Sequence, residues 1–274
     1  MTDTINRPHL NGPLNVAALE LNISLSDKAA NLSAAAAAIE ALTPGIDIAV
    51  LPEMFSTGYI LDGEKVRALA ERNDGETMTW VRSQAARCNV AIVGSFIATD
   101  GEHFFNRAFF VEPSGETTYY DKHHLFATGG EDSVYAAGDA RIPTVRFRGW
   151  NVAFAVCYDL RFPVWLRNVD SAYDLLIVVA NWPDARAYAW RQLLIARAIE
   201  NQAYVVGCNR SGSDDFGKYS GTSVVVDAKG RVTEAKKSAT ADVECVVAEL
   251  SRAALDDFRR KFPVCLHGDR FTLV

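Results

Sequence analysis

Residues 150–165, WNVAFAVCYDLRFPVW, decide how this chain is to be read. Seven residues suited to a strand, apolar except for Asn151, run into Cys157, and a tyrosine, an acid and an arginine follow. Pro163 then stands where the first turn of a helix tolerates a proline, so Cys157 is expected on a strand-to-helix turn. A side chain there sits at the edge of a sheet with backbone N–H groups directed at it, a setting that favours a thiolate and can double as an oxyanion hole. The competing reading is a buried structural cysteine, the commoner fate of a cysteine in an apolar strand. The stretch alone leaves both open. Cys88, Cys208, Cys245 and Cys265 have no comparable flanks and read as filler.

Outward from this stretch the same apolar pattern recurs. Strands are expected at 14–21, 47–53, 89–98, 103–113, 117–124, 150–157, 174–181, 203–210 and 222–230, all rich in β-branched and aromatic residues. Helices are expected from about Ser26 to Leu42, closed by Pro44 and Gly45, and over 187–202, where Trp190, Leu193, Leu194 and Ala198 share a face. The short connections DGE and PSGE join their flanking strands as hairpins, so the sheets are mixed. Near-continuous apolar strands with helices between them imply sheets covered on both sides. The expectation is an α/β protein with one domain spanning 1–274, without repeats or a linker.

Of the 274 residues 49% are hydrophobic and 23% charged, an ordinary globular balance. A net charge of −6 leaves no basic stripe to neutralise phosphates, which argues against nucleic acid. The basic cluster FRRKF at 258–262 reads as a solvated face. No apolar run approaches the length of a bilayer crossing, and MTDTINRPHLNGP lacks the basic start and apolar core of a leader. Five cysteines at irregular spacing form neither a disulfide framework nor a zinc cluster. Free thiols in a reducing cytoplasm are expected, with no membrane association, no metal and no cofactor.

A nucleophilic cysteine needs a base. His123 and His124, beside Lys122 in YYDKHHLF, are conceivable partners. Glu53 in LPEMFSTGY is the rival, at the end of the apolar stretch DIAVLPE. A carboxylate buried there costs several kcal/mol, on the order of the penalty for any unpaired buried ion, so a solvated loop position is the bland alternative. Lys122 poses the same choice between surface and interior.

Taken together, an acid after LP, a lysine in YDKHHLF and a cysteine in CYDLRFP, in that chain order, resemble the nitrilase superfamily of carbon–nitrogen hydrolases. The resemblance extends from LNVAALELNISLSDKAANL to FRRKFPVCLHGDRFTLV. It implies a four-layer αββα sandwich that pairs as a homodimer. It also implies a triad in which Glu53 is the general base, Lys122 the cationic stabiliser and Cys157 the nucleophile. Glu131 in EDSVYAAGD corresponds, more loosely, to a second glutamate that supports the lysine.

The triad makes chemical sense. A free thiol (pKa ~8.5) and a free glutamate (~4.3) are separated by about 5–6 kcal/mol, too much for easy proton transfer. Burial raises a glutamate, and Lys122 with the N–H groups of the turn is expected to lower the thiol, closing the gap from both ends. Cys157 would then attack an amide carbonyl while Lys122 and the Tyr158 N–H hold the oxyanion, and Glu53 would protonate the leaving ammonia and activate water against a thioester.

CYDLRFP matches neither the CWE of nitrilases nor the asparagine–aspartate pair of carbamoylases. With ANWPDARAYAW, ARAIENQAYVVGCNRSG and FPVCLHGDRF it resembles bacterial omega-amidases, which implies hydrolysis of 2-oxoglutaramate, with 2-oxosuccinamate as a second substrate. The CLHG before DRF departs from the family's usual tail. Such a substrate carries a carboxylate, for which Arg161 is the first candidate and Arg186 a weaker one. Arg161 could equally pair with Asp159 or hold a dimer interface. Tyr59, Tyr158, Asn181 and Trp182 are placed in the pocket, although aromatics at strand ends are more often plain core. A deaminated-glutathione amidase, a carbamoylase, an aliphatic amidase, a Cys–His hydrolase and a non-catalytic amide-binding module remain as alternatives.

Overall fold

In the apolar run that precedes Cys157, side chains alternate between two destinations. Val152, Phe154 and Val156 face one hydrophobic layer, while Ala153 and Ala155 face another. The next strand does the same, with Leu175, Ile177 and Val179 on one side and Leu176, Val178 and Ala180 on the other. The strand period of two thus survives in a sequence with no polar alternation, because both faces are covered.

The computed structural model describes residues 12–42, 44–233, 236–240 and 242–269. Most of the stretch read for a leader, and the end of the C-terminal DRF motif, lie outside them. In chain order the elements begin with β1 (Leu14–Glu20), α1 (Lys28–Leu42), β2 (Ile48–Val50), α2 (Gly63–Leu69) and α3 (Glu76–Cys88). Next come β3 (Ala91–Thr99), β4 (Phe104–Val111), β5 (Thr117–Asp121), β6 (Thr144–Phe147), β7 (Trp150–Val156) and β8 (Leu175–Ala180). There follow α4 (Ala187–Asn201), β9 (Tyr204–Asn209), β10 (Ser211–Asp214), β11 (Gly217–Ser220) and β12 (Val224–Val226). The last are β13 (Val232–Thr233), β14 (Lys236–Ser238), β15 (Glu244–Leu250) and α5 (Arg252–Lys261).

One sheet has the order β14-β15-β1-β2-β3-β4-β5 and the other β13-β12-β9-β8-β7-β6. Both are mixed: β1, β2 and β3 run parallel, as do β7, β8 and β9, while β3-β4-β5 form the expected hairpins. Val16, Ile48, Val93 and Phe110 of the first sheet pack against Val152, Phe154, Ile177 and Val206 of the second. Leu32, Ala35 and Ile39 of α1 and Met78, Val81 and Ala85 of α3 cover the outside of the first sheet. Trp190, Leu194 and Ala198 of α4 cover the second. This is the expected αββα sandwich. Among the described residues no helix is long and apolar enough to cross a membrane.

Several expectations are corrected. No helix starts at Pro163; β7 passes directly into a 3-10 turn, Cys157–Arg161, which Pro163 follows. The strand at 47–53 ends at Val50, because Pro52 has no N–H to offer a ladder and the chain turns at Met54 with φ 48°. The strand at 222–230 shrinks to Val224–Val226, since the Asp227 carboxylate collects the N–H groups of Lys229 and Arg231 into a turn. FRRKF is not wholly a solvated face: Arg259 donates to Asp174 Oδ1 (2.7 Å) and to the carbonyls of Gln202 and Tyr173.

Candidate active site

Three strand ends bring the chemistry together. β7 is followed at once by Cys157 and β5 by Lys122, and Glu53 lies three residues beyond β2. The turn after β2 is held by Ser95 of β3, whose hydroxyl accepts from Met54 N (2.8 Å) and donates to Asn106 Oδ1 (2.9 Å). That bond orients Asn106 so that its Nδ2 donates to Glu53 Oε1 (2.7 Å) and to Glu131 Oε1 (3.3 Å). Glu53 is 1% exposed and Lys122 is 1% exposed, so the surface alternatives for both are excluded.

Lys122 Nζ lies 3.1 Å from Glu53 Oε1 and 2.9 and 2.8 Å from the two oxygens of Glu131. Glu131 is itself tied down by the Phe126 N–H at 2.7 Å. Burial would push the Lys122 ammonium toward neutrality, but the two carboxylates outweigh it and hold its pKa well above the ordinary lysine value. Lys122 is therefore a fixed cation at the floor of the site.

Cys157 shows a departure from expectation. Burial and then the negative charge of Glu53 raise its thiol well above the ordinary cysteine value, and Lys122 opposes them without prevailing. Burial and the Glu53 charge thus favour the thiol over the thiolate. Its backbone is unusual as well: φ is 44°, the left-handed region that a side chain disfavours. The turn is pinned from behind by Asp159, which accepts from Val156 N (3.2 Å), Tyr120 Oη (3.0 Å) and His124 N (3.0 Å).

Asp159 is thereby committed elsewhere, and Arg161 does not pair with it. Arg161 stacks over Trp182 (4.8 Å) and Tyr158 (6.0 Å), half-buried, and makes no ion pair among the described residues. Glu53, Tyr59, Lys122, Cys157, Tyr158, Arg161, Asn181 and Trp182 line a single cavity. Glu131 stands behind Lys122 and is not part of the wall. Burial also keeps the Tyr59 hydroxyl protonated, its pKa raised far above the usual phenol value.

His123 and His124 lie in a separate depression, with Arg141 and Trp165. His124 Nδ1 meets Asp159 (2.8 Å) and His123 Nδ1 meets the Gly138 carbonyl (2.6 Å), so neither serves Cys157 as base.

Sequence reasoning missed Asn106, Phe126, Phe216 and Tyr219. The last two come from the β10–β11 hairpin, which is bolted down by a buried Arg210–Asp214 pair (2.9 Å) and by Ser220 bonded to Asp184 (2.8 Å). At its tip Phe216 meets Tyr59 edge-on at 5.3 Å and lines the cavity. The one signal in that polar segment was an aromatic beside a glycine in DDFGKY.

The sequence pattern of the carbon-nitrogen hydrolase family matches residues 15–260. The chain is 42% identical to the omega-amidase YafV of Escherichia coli K12 over 264 residues, 95% of this chain and 98% of that one. It is 32% identical to the 2-oxoglutaramate amidase of Bacillus subtilis, covering 79% and 84%. A CN-hydrolase superfamily protein of Xanthomonas campestris, solved with an arsenic adduct in its active site, superposes with a TM-score of 0.89 at 39% identity, covering 96% of this chain and 99% of that one.

Proposed function

The chain belongs to the carbon–nitrogen hydrolase family, and from that premise we propose that it is an omega-amidase that releases ammonia from 2-oxoglutaramate, with 2-oxosuccinamate as a second substrate. The observation that carries this reading is the buried cation Lys122, held between Glu53 and Glu131 at the floor of the cavity into which Cys157 opens. A binding-only protein has no need of such a group beside a thiol.

Cys157 Sγ attacks the amide carbon as its proton passes to Glu53, so the thiolate forms only with the new C–S bond. Lys122 and the Tyr158 N–H stabilise the oxyanion. As the C–N bond breaks, Glu53 hands the proton to nitrogen and ammonia departs. Glu53 then takes a proton from water, whose oxygen attacks the thioester, and returns it to Cys157 as the 2-oxo acid leaves. The raised thiol suits this coupled transfer, because both protons stay inside the site. Arg161, with no carboxylate of its own, takes the substrate carboxylate.

The test is ammonia release from 2-oxoglutaramate, run beside glutamine, an N-carbamoyl amino acid and a simple nitrile, for wild type and Cys157→Ala. Release from the keto amide, lost in the variant, is expected. Turnover of the carbamoyl compound alone would make the protein a carbamoylase instead.

A homodimer fits the same structure. Tyr188 and Ile199, three turns apart on one face of α4, are 81% and 52% exposed, a surface suited to a second copy. Light scattering should give twice the 30.0 kDa chain mass. Cys88, Cys157, Cys208 and Cys265 form no disulfide, in keeping with a reducing cytoplasm.

A further inference from the structure

Asn181 immediately follows β8, where the chain leaves the sheet at the cavity wall. Its backbone N–H donates to Glu53 Oε2 (2.8 Å) and its side-chain Nδ2 donates to the Glu53 carbonyl (2.8 Å). The second bond decides which end of the amide is which, since an oxygen in that place would face another oxygen. Asn181 Oδ1 is therefore the opposite end. It is buried, it has no hydrogen-bond partner, and the residue is only 8% exposed. A buried acceptor without a donor costs folding free energy, and one kept in a cavity wall asks for a donor from the ligand. The other unpartnered buried atom in this wall is Tyr59 Oη, a protonated hydroxyl able to donate.

A primary carboxamide presents the complement, an oxygen that accepts and an –NH2 that donates. Glu53 must deliver its proton to the departing nitrogen, so that nitrogen has to sit against the carboxylate to which Asn181 is bonded. We propose that Asn181 Oδ1 accepts a hydrogen bond from the departing –NH2, making Asn181 the residue that selects primary amides over esters of the same acyl skeleton. The bond already holds the bound amide and strengthens as nitrogen gains its proton and positive charge, so it acts both on binding and on the breakdown of the tetrahedral intermediate. An ester oxygen has no hydrogen to offer and would turn its lone pairs on Oδ1. This rests on the amidase reading above.

The experiment compares 2-oxoglutaramate with the methyl ester at the same carboxyl position, for wild type, Asn181→Ala and the similarly sized Asn181→Leu. Both substrates give the same acyl-Cys157, so any disturbance of Glu53 as the base for water is common to both. We expect kcat/KM for the amide to fall about tenfold or more beyond the fall for the ester, the scale of one hydrogen bond to a charged group. Equal falls would overturn the proposal while leaving the amidase reading intact. A wild type inert on the amide would overturn that reading, and this one with it. If neither variant folds, calorimetry on Cys157→Ala enzyme decides: the amide should bind more tightly than the ester, and equal affinities would overturn the proposal.

Discussion

Two buried ionic clusters in this molecule are near mirror images, and they do opposite things. At the active site two carboxylates, Glu53 and Glu131, hold one ammonium, Lys122. Where α5 packs on the second sheet, two guanidiniums, Arg252 and Arg259, hold one carboxylate, Asp174. Around Asp174 both oxygens are engaged: Oδ1 by Arg259 (2.7 Å), Oδ2 by Arg252 (2.7 Å) and Asn151 N (2.9 Å). Around Lys122 the groups are more deeply buried, and the wall beside them keeps Asn181 Oδ1 and Tyr59 Oη unpartnered. A saturated cluster fastens one element to another, whereas a cluster next to unmet polar atoms is set for a molecule the chain does not itself supply.

The active-site cluster is the more sensitive of the two to substitution. Cys157→Ala should reduce amide turnover by about 10⁴-fold or more, measured as ammonia release, while its thermal midpoint stays at or above that of wild type. Lys122→Met should leave two glutamates facing each other without a cation and lose about 3–5 kcal/mol in urea denaturation, together with activity. Asp174→Asn should lose about 2–3 kcal/mol by the same assay yet keep kcat/KM within about twofold, because this cluster touches nothing in the cavity. Were Asp174→Asn to lose turnover while still folded, the division between the two clusters would fail.

Arg161→Lys should raise KM for the keto amide about tenfold with kcat nearly unchanged, since a lysine cannot match the planar fork. The smallest signal is spectroscopic. With the Cys157 proton held to higher pH in the folded state than in a free thiol, the 240 nm difference between wild type and Cys157→Ala should show no thiolate at pH 7 and gain one only above pH about 9. The sign for stability follows: the contribution of this group is complete below the free-thiol pKa and is lost as pH rises beyond it. A thiolate band at pH 7 would replace coupled proton transfer with a preformed ion pair.

The sandwich was legible where a run declared its own period. The apolar strands β3, β4, β7 and β8, and the helices α1 and α4, lie close to where their sequences place them. Less legible were elements defined by partners distant in the chain. ECVVAEL is an unremarkable heptapeptide until β15 pairs with β1, aligning Leu14 with Leu250. ETMTWVRSQAARC carries mixed polar residues, and becomes α3 by packing Met78, Val81 and Ala85 on the first sheet. Glu53, Lys122 and Cys157 were legible as motifs. Phe216 was not, because its hairpin has no apolar alternation and is placed by an Arg210–Asp214 pair that no local pattern announces. The direction in which the Cys157 thiol shifts was not legible for a related reason: proximity to Lys122 could be read from the motif, but the burial that outweighs it could not.

The backbone of Cys157 also carries a cost in evolutionary terms. At φ 44° every residue except glycine gives up about 1 kcal/mol. Alanine at this position would inherit that burden and glycine would shed it, so Cys157→Gly should melt higher than Cys157→Ala despite the freer unfolded chain. The residue that serves turnover is thus not the residue that best serves folding. A duplicated copy of this chain, released from selection for chemistry but still required to fold, would be free to take a gain at this position that its ancestor could not.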